Sequence, residues 1–239
     1  AYENDQTAND AISYLMSTAR WRDSNNVEAM ANDERLVAFE RALRRHVLLY
    51  SLSKDQYGRP LMIERVGAWN LEAINALISS SRDEVMRAHI LVSEFIRCGI
   101  DDSTNDSVYT GEELPSDRRA VLVFDVGGLP FGILGARQLL SLFSEMSRVD
   151  SAHFPNTVGT IFLVNVSRIA VAAWVIISRF VAVQTRLKVR VFSWSQARDA
   201  CAALRDLCGE GFLPAELGGR LPNCDPYTFS PCSAQSIPK

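Results

Sequence analysis

Residues 153–192 read HFPNTVGTIFLVNVSRIAVAAWVIISRFVAVQTRLKVRVF, and the fold turns on what this stretch becomes. From Ile161 to Val183 it is nearly continuous hydrocarbon, interrupted by Asn165, Ser167, Arg168, Ser178 and Arg179. A helix that crosses a bilayer needs about 20 predominantly apolar residues, and the uninterrupted run Ile169 to Ile177 is far shorter. The stretch reads as strand, apolar helix, turn and strand. Its helix is either the buried middle of an α/β fold or an element that meets lipid without spanning it.

The surrounding chain sets limits. At 239 residues it can bury a sizeable core. Its net charge of −3 gives no concentrated basic footprint for nucleic acid. The opening AYENDQTAND is polar and acidic, unlike a signal or transit peptide, and so abrupt a start is expected of a fragment of something longer. Five cysteines without a C-x-x-C pair speak for a reducing compartment, not for a disulfide framework or structural zinc. Cys224 and Cys232 could still pair within the tail; that alternative stays open.

Helical periodicity comes first, over Ala11 to Arg20 and again over Asp33 to Ser51, where Leu36, Phe39, Leu43, Val47 and Tyr50 share a face. KDQYGRP (54–60) is a turn and LMIERV (61–66) a strand. Asn70 can cap a helix from Leu71; Ser81 and Glu84 have capping-box spacing for a second one, Arg82 to Cys98. Residues 101–119 form an acidic loop. AVLVFDVGG (120–128) lacks alternation, as expected of a parallel strand covered on both faces. A helix over Phe131 to Arg148 follows, then strands at Thr160 to Val166 and Lys188 to Phe192, and a last helix capped by Ser195 and ending at Gly209. Helices first, then strand–helix units, imply an α/β domain with a largely parallel sheet. The expected divisions are a helical lobe over 1–52, an α/β lobe over 53–220 and a tail over 221–239.

Catalytic patterns are absent from the sequence. There is no G-x-S-x-G elbow, and GGLPFG (127–132) has the wrong spacing for a dinucleotide or phosphate loop. His46, His89 and His153 lack metal-ligand spacing, and His89 reads as a core or boundary residue. Asp125 stands where α/β active sites lie, but a lone carboxylate there is better read as the anchor of the following turn. The expectation is no enzyme, no metal and no cofactor.

Five segments in order resemble the Sec14-like, or CRAL-TRIO, lipid-transfer domains: DQYGRPLMIERVGAWN (55–70), VLVFDVGG (121–128), HFPNTVGTIFLVNV (153–166), AAWVIISRFVAVQTRLKVRVF (172–192) and LPAELGG (213–219). The resemblance implies a helical N-terminal lobe on a mostly parallel sheet that floors a large apolar pocket. It also implies a gate helix, Arg168 to Val183, with Arg168, Ala173, Trp174, Ile177 and Phe180 as its working residues. Met62, Ala120, Leu122 and Phe124 would line the pocket. Thr185 and Lys188 match the positions with which inositol-lipid binders hold the headgroup. Asn156 and Thr157 take the places of the acid and Arg found there in those binders. The implied function is binding of one phospholipid, sterol or other hydrophobic molecule, exchanged at a transient membrane contact. Phosphatidylinositol is one candidate. The implied setting is a cytoplasmic, peripherally membrane-associated monomer, or else a non-transferring lipid-sensing module of a larger signalling protein.

Overall fold

The structure, a computed structural model, describes residues 2–102 and 117–222. The central part of the expected acidic loop and almost all of the tail, with Cys224 and Cys232, lie outside the described residues. Three helices open the chain: α1 (Tyr2–Ser24), α2 (Val27–Met30) and α3 (Glu34–Leu43). Asp33 caps α3 by accepting from the Leu36 N–H, and apolar residues of α3 pack against the long helix that follows β2.

The expected helix over Asp33 to Ser51 stops early. After Leu43 the backbone widens into a π-turn over Arg44–Leu48, and Leu49 enters the left-handed region at φ 50. Tyr50 and Ser51 instead begin a strand, β1 (Tyr50–Lys54), which the sequence reading missed. Val47 and Tyr50 are both buried and their spacing continues the helical repeat, so the periodicity ran on through the boundary. The Tyr50 hydroxyl donates to Glu40 at 2.7 Å, tying the strand back to α3.

A hairpin joins β1 to the antiparallel β2 (Pro60–Glu64). Three parallel strands then extend the sheet: β3 (Ala120–Asp125), β4 (Val158–Val166) and β5 (Val189–Ser193). The strand order is β1-β2-β3-β4-β5, with β1 and β5 as edges. The crossovers are α4 (Leu71–Asp102), kinked at Ser81 where the two-helix reading placed its boundary; α5 (Arg137–His153), after a 3₁₀ turn at Phe131–Gly135; and α6 (Arg168–Ile177) with the single turn α7 (Val183–Arg186). The final helix α8 (Ala197–Cys208) follows a 3₁₀ turn whose capping box is made by Ser193 and Gln196, not by Ser195. The architecture is α/β with a mostly parallel sheet.

The hairpin loop carries the most buried charge pair. Asp55 is fully buried and Arg59 is 5% exposed. Asp55 Oδ1 accepts from the Tyr57 and Arg59 amides at 2.9 Å each, which shapes the turn around Gly58 (φ 76). Arg59 Nε donates to Asp55 Oδ2 at 2.7 Å and Nη2 to the Leu207 carbonyl at 2.8 Å, so the loop is bolted to the end of α8. Burial raises the Asp55 pKa, and the Arg59 guanidinium opposes it. Cys208 beside this pair is pushed up to about 12 by burial, an inert thiol.

A second buried acid, Glu64, closes β2. Burial pushes its pKa from 4.5 up to about 8, against weaker lowering by the Trp69 indole and by His89. His89 Nε2 lies 2.9 Å from Asp150 Oδ1, and Ser93 donates to the same oxygen at 3.2 Å. His89 is thus a boundary residue held by an acid.

Two outcomes are expected. Arg59→Met leaves Asp55 buried without a counter-charge and should cost about 3–5 kcal/mol in urea unfolding; replacing Asp55 by Leu as well should return part of that loss. A single-variant loss below about 1 kcal/mol would mean that water reaches the pair. Glu64 should tilt stability against pH. As pH rises from 4.5 toward 8 the unfolded chain releases the proton that the folded chain retains, so stability falls across that window and levels off above about 8. Glu64→Gln should flatten this slope in thermal melts taken across the window, and an unchanged slope would rule Glu64 out as its source.

Candidate functional site

Successive side chains of a strand point to opposite faces, and the alternation divides this sheet cleanly. Leu61, Ile63, Val121, Val123, Phe162 and Val164 form one buried layer with Ala200, Leu204 and Cys208 of α8. Met62, Ala120, Leu122 and Phe124 lie on the other face, with Ile161, Leu163 and Val189. The four expected pocket residues therefore share one face, and Met62 sits directly beside Leu122 in the register.

Cover over that face is uneven. Val92, Ile96 and Ile100 of α4 pack on Leu52, Met62 and Leu122. Toward the β5 edge Leu163 and Val189 are only half-buried, and Val191, which shares their face by alternation, is 50% exposed. A shallow surface groove of about 520 Å³ lies elsewhere, lined by Asn75, Ala76, Ser79, Ala136, Arg137 and Gln138, and it is unrelated to these residues.

The far end of the face is covered by α6. Ser167 caps it by accepting from the Ala170 N–H at 3.2 Å. Ala170 and Ala173 are buried against Val126, Leu129 and Ile133, with Ile169, Ile177 and Phe124 partly buried around them. Its outer side is apolar too: Val171 and Val175 are 52% and 53% exposed, and Trp174 is half-buried. Arg168 and Arg179 stand exposed at its two ends. Among the described residues no helix is long and apolar enough to cross a membrane.

The expected gate helix, Arg168 to Val183, is shorter than read. It ends at Ile177; Ser178 to Ala182 form turns before α7. Phe180 is thus not a helix residue. Its carbonyl accepts from the Ser147 hydroxyl of α5 at 2.7 Å, which fastens the segment beyond the helix to the body.

Entry to α6 is held by Asp125. Its Oδ1 accepts from the Gly127 amide and from Asn165 Nδ2, each at 2.9 Å. Asn165 is in the left-handed region at φ 58, where a short amide side chain is tolerated. Asp125 is accordingly the turn anchor that the sequence suggested. Gly67 packs so close to the adjoining loop that an added Cβ would lie 1.7 Å from the Gly127 carbonyl oxygen.

The four expected headgroup residues lie toward the opposite, amino-terminal end of β4 and β5, and the side chains of two of them, Lys188 and Thr157, are bonded to backbone carbonyls. Lys188 Nζ donates to the Val158 carbonyl at 2.7 Å, and burial lowers its pKa, helped by Arg119 and opposed by Asp117. An ammonium has three donors, so two remain after that bond among the described residues. Thr157 Oγ1 donates to the Phe154 carbonyl at 3.0 Å. Asn156 is exposed with φ 58, a turn position. Thr185 is joined to Lys188 through its carbonyl, which accepts the Lys188 amide at 3.0 Å.

Sequence reasoning missed two neighbours here. Arg119 grips Asp117 through Nε at 2.7 Å and Nη2 at 2.8 Å, and a Cβ on Gly159 would stand 3.0 Å from Asp117 Oδ2. The paired arginines before β3 were the available signal, but their distance from Lys188 in sequence hid the association. Among the described residues no group of three or more His, Cys, Asp or Glu converges closely enough to hold a metal ion.

The model of the CRAL/TRIO domain matches residues 44–219. A phosphatidylinositol/phosphatidylcholine transfer protein of Arabidopsis thaliana, SFH11, is 27% identical over 173 residues, which are 71% of this chain and 41% of that protein. A CRAL-TRIO domain-containing protein of Caenorhabditis elegans, T23G5.2, is 28% identical over 167 residues, 70% of this chain and 22% of that one. The chain thus spans less than half the length of either relative. The crystal structure of Sfh5 superposes with a TM-score of 0.54 at 15% identity, covering 77% of this chain and 61% of that one; at that identity the likeness is one of fold.

Proposed function

The chain belongs to the CRAL/TRIO domain family, and from that membership we propose that it binds one lipid or other hydrophobic molecule over the Met62–Leu122–Phe124 face and exchanges it at a membrane surface. The observation that carries this reading is α6, apolar inward at Ala170 and Ala173 and apolar outward at Val171 and Val175. Single surface valines are ordinary, but two on the outer side of a helix whose inner side is also apolar leave it little polar face, and such a helix suits a bilayer interface. The inner contact made by small alanines also limits the apolar area that lifting the helix must expose.

The ligand class follows from the two ends of the face. Aliphatic side chains along β2, β3 and β4 suit acyl chains or a sterol ring. Lys188, with two donors to spare beside Thr157 and Thr185, suits an anionic headgroup. Phosphatidylinositol fits this chemistry, and one relative carries it in its name. No chemical step is assigned to the site: Asp125 is spent on a turn and Glu64 is buried. The protein would work as a cytoplasmic monomer that visits membranes. A second reading is a non-transferring lipid-sensing module; one relative is named only for containing the domain.

Native mass spectrometry of the purified chain should find one lipid per protein, and a chain without extractable lipid would count against both readings. Liposome-to-liposome transfer separates the two, because binding without exchange favours the module. Trp174→Asp should slow exchange while preserving the fold, whereas an unfolded variant would make α6 a plain core helix. Lys188→Ala should weaken loading of an anionic phospholipid roughly tenfold or more while sparing a neutral sterol. Equal loss of both, at unchanged thermal stability, would contradict the headgroup role.

A further inference from the structure

From Ser151 to Arg198 the chain contains no Asp or Glu but six cations, Arg168, Arg179, Arg186, Lys188, Arg190 and Arg198, in a protein of net charge −3. The most exposed apolar residues of the α/β lobe concentrate in the same span. Leu187 is 82% exposed and Val183 54%. The Leu187 amide donates to the Val183 carbonyl at 3.1 Å, so the two side chains are one turn apart on the same side of α7. Arg186 between them and Arg179 just before them are both exposed.

We propose that α7 is a docking foot for anionic bilayers: Val183 and Leu187 enter the acyl boundary while Arg179 and Arg186 meet lipid phosphates. An isolated exposed leucine needs no explanation. Two large aliphatics on one turn, flanked by arginines and free of acids over this span, have the composition of an interfacial anchor. Attraction to anionic lipid headgroups strengthens binding about fivefold for each such cation near the surface, so the charge selects the lipid and the aliphatics fix the depth. An acidic protein partner would need the cations but would leave Leu187 unexplained. Arg190 takes no part: its guanidinium lies over the Phe162 ring at 5.0 Å and the Phe192 ring at 5.7 Å.

The foot lies outside α6, which gives it a separate readout. Docking needs no movement of α6, because Leu187 is exposed while that helix is packed through its own Ala170 and Ala173 against Val126, Leu129 and Ile133. The inference rests on the exchange reading only in taking the bilayer as the place of work. Flotation of the 239-residue chain with phosphatidylserine/phosphatidylcholine vesicles should show binding that falls as salt rises, and weak binding to phosphatidylcholine alone. Leu187→Asp should weaken binding to the mixed vesicles roughly tenfold, and Arg186→Glu should weaken it at least about fivefold, with the lipid content of the protein by native mass spectrometry unchanged in both. Trp174→Asp should dock like the parent. Equal binding to both vesicle types, or Leu187→Asp and Arg186→Glu that bind like the parent, would overturn the foot. So would capture by an acidic protein without vesicle binding. A chain that docks as expected yet carries no lipid would retain the foot and remove the exchange reading.

Discussion

The buried Asp55–Arg59 pair is the constraint on which the rest of the fold depends. Two charges removed from water are tolerable only when their hydrogen-bonding groups find partners, and here those partners lie on separate elements. Asp55 consumes the amides of its own turn. Arg59 reaches the end of α8 through the Leu207 carbonyl and approaches the Asp117 carbonyl ahead of β3 at 3.5 Å. Gln56 adds a backbone bond to Cys208. The hairpin, the entry to the central strand and the final helix are therefore placed by one guanidinium. A lysine could not reproduce that fork.

With that corner fixed, the two faces of the sheet have unlike covers. The α8 face is filled by Phe162, Leu204, Cys208 and Leu213, all fully buried, and Phe162 stacks on Phe192 at 6.0 Å. Packing of this density resists removal because every lost contact leaves a cavity. The other face is roofed by α4 over β2 and β3, by the alanines of α6 at one end, and thins out at β5. The fold thus keeps its tightest packing on one side of the sheet and its small side chains and exposed valines on the other.

Much of this was legible in the sequence, and the failures have physical causes. The unbroken apolar run of β3 announced a doubly covered parallel strand, and Asp125 announced its turn. Met62, Ala120, Leu122 and Phe124 came from the family resemblance, and strand alternation puts them on one face of the sheet. The edge strand β1 was missed because Val47 and Tyr50 keep helical spacing across a boundary set by the backbone of Leu49, which no composition rule marks. The end of α6 was read too late because Phe180, Val181 and Val183 are as apolar as the helix; what ends it there is a run of turns, with the Ser147 bond holding the segment beyond it. Asp117 and Arg119 were invisible for a different reason, since only the folding of the sheet brings them to Lys188.

The end of the face near Asn156 shows how a substitution in a motif can be misread. Where inositol-lipid binders carry an acid, this chain has Asn, which taken alone argues against a headgroup site. Asn156 has φ 58, and Asn is among the few non-glycine residues that occupy this region at low cost. Backbone conformation is thus sufficient reason for the asparagine. It then carries no information about the ligand, and the charge of the site must be judged from the side chains around it. Among the described residues Asp117 is the opposing charge on Lys188, and that carboxylate is already gripped by Arg119. Among the described residues that pair nearly cancels, and the Lys188 ammonium adds a positive charge beside it. Its Nζ is also held by the Val158 carbonyl at 2.7 Å, so whatever meets this ammonium meets it already oriented by the backbone of β4.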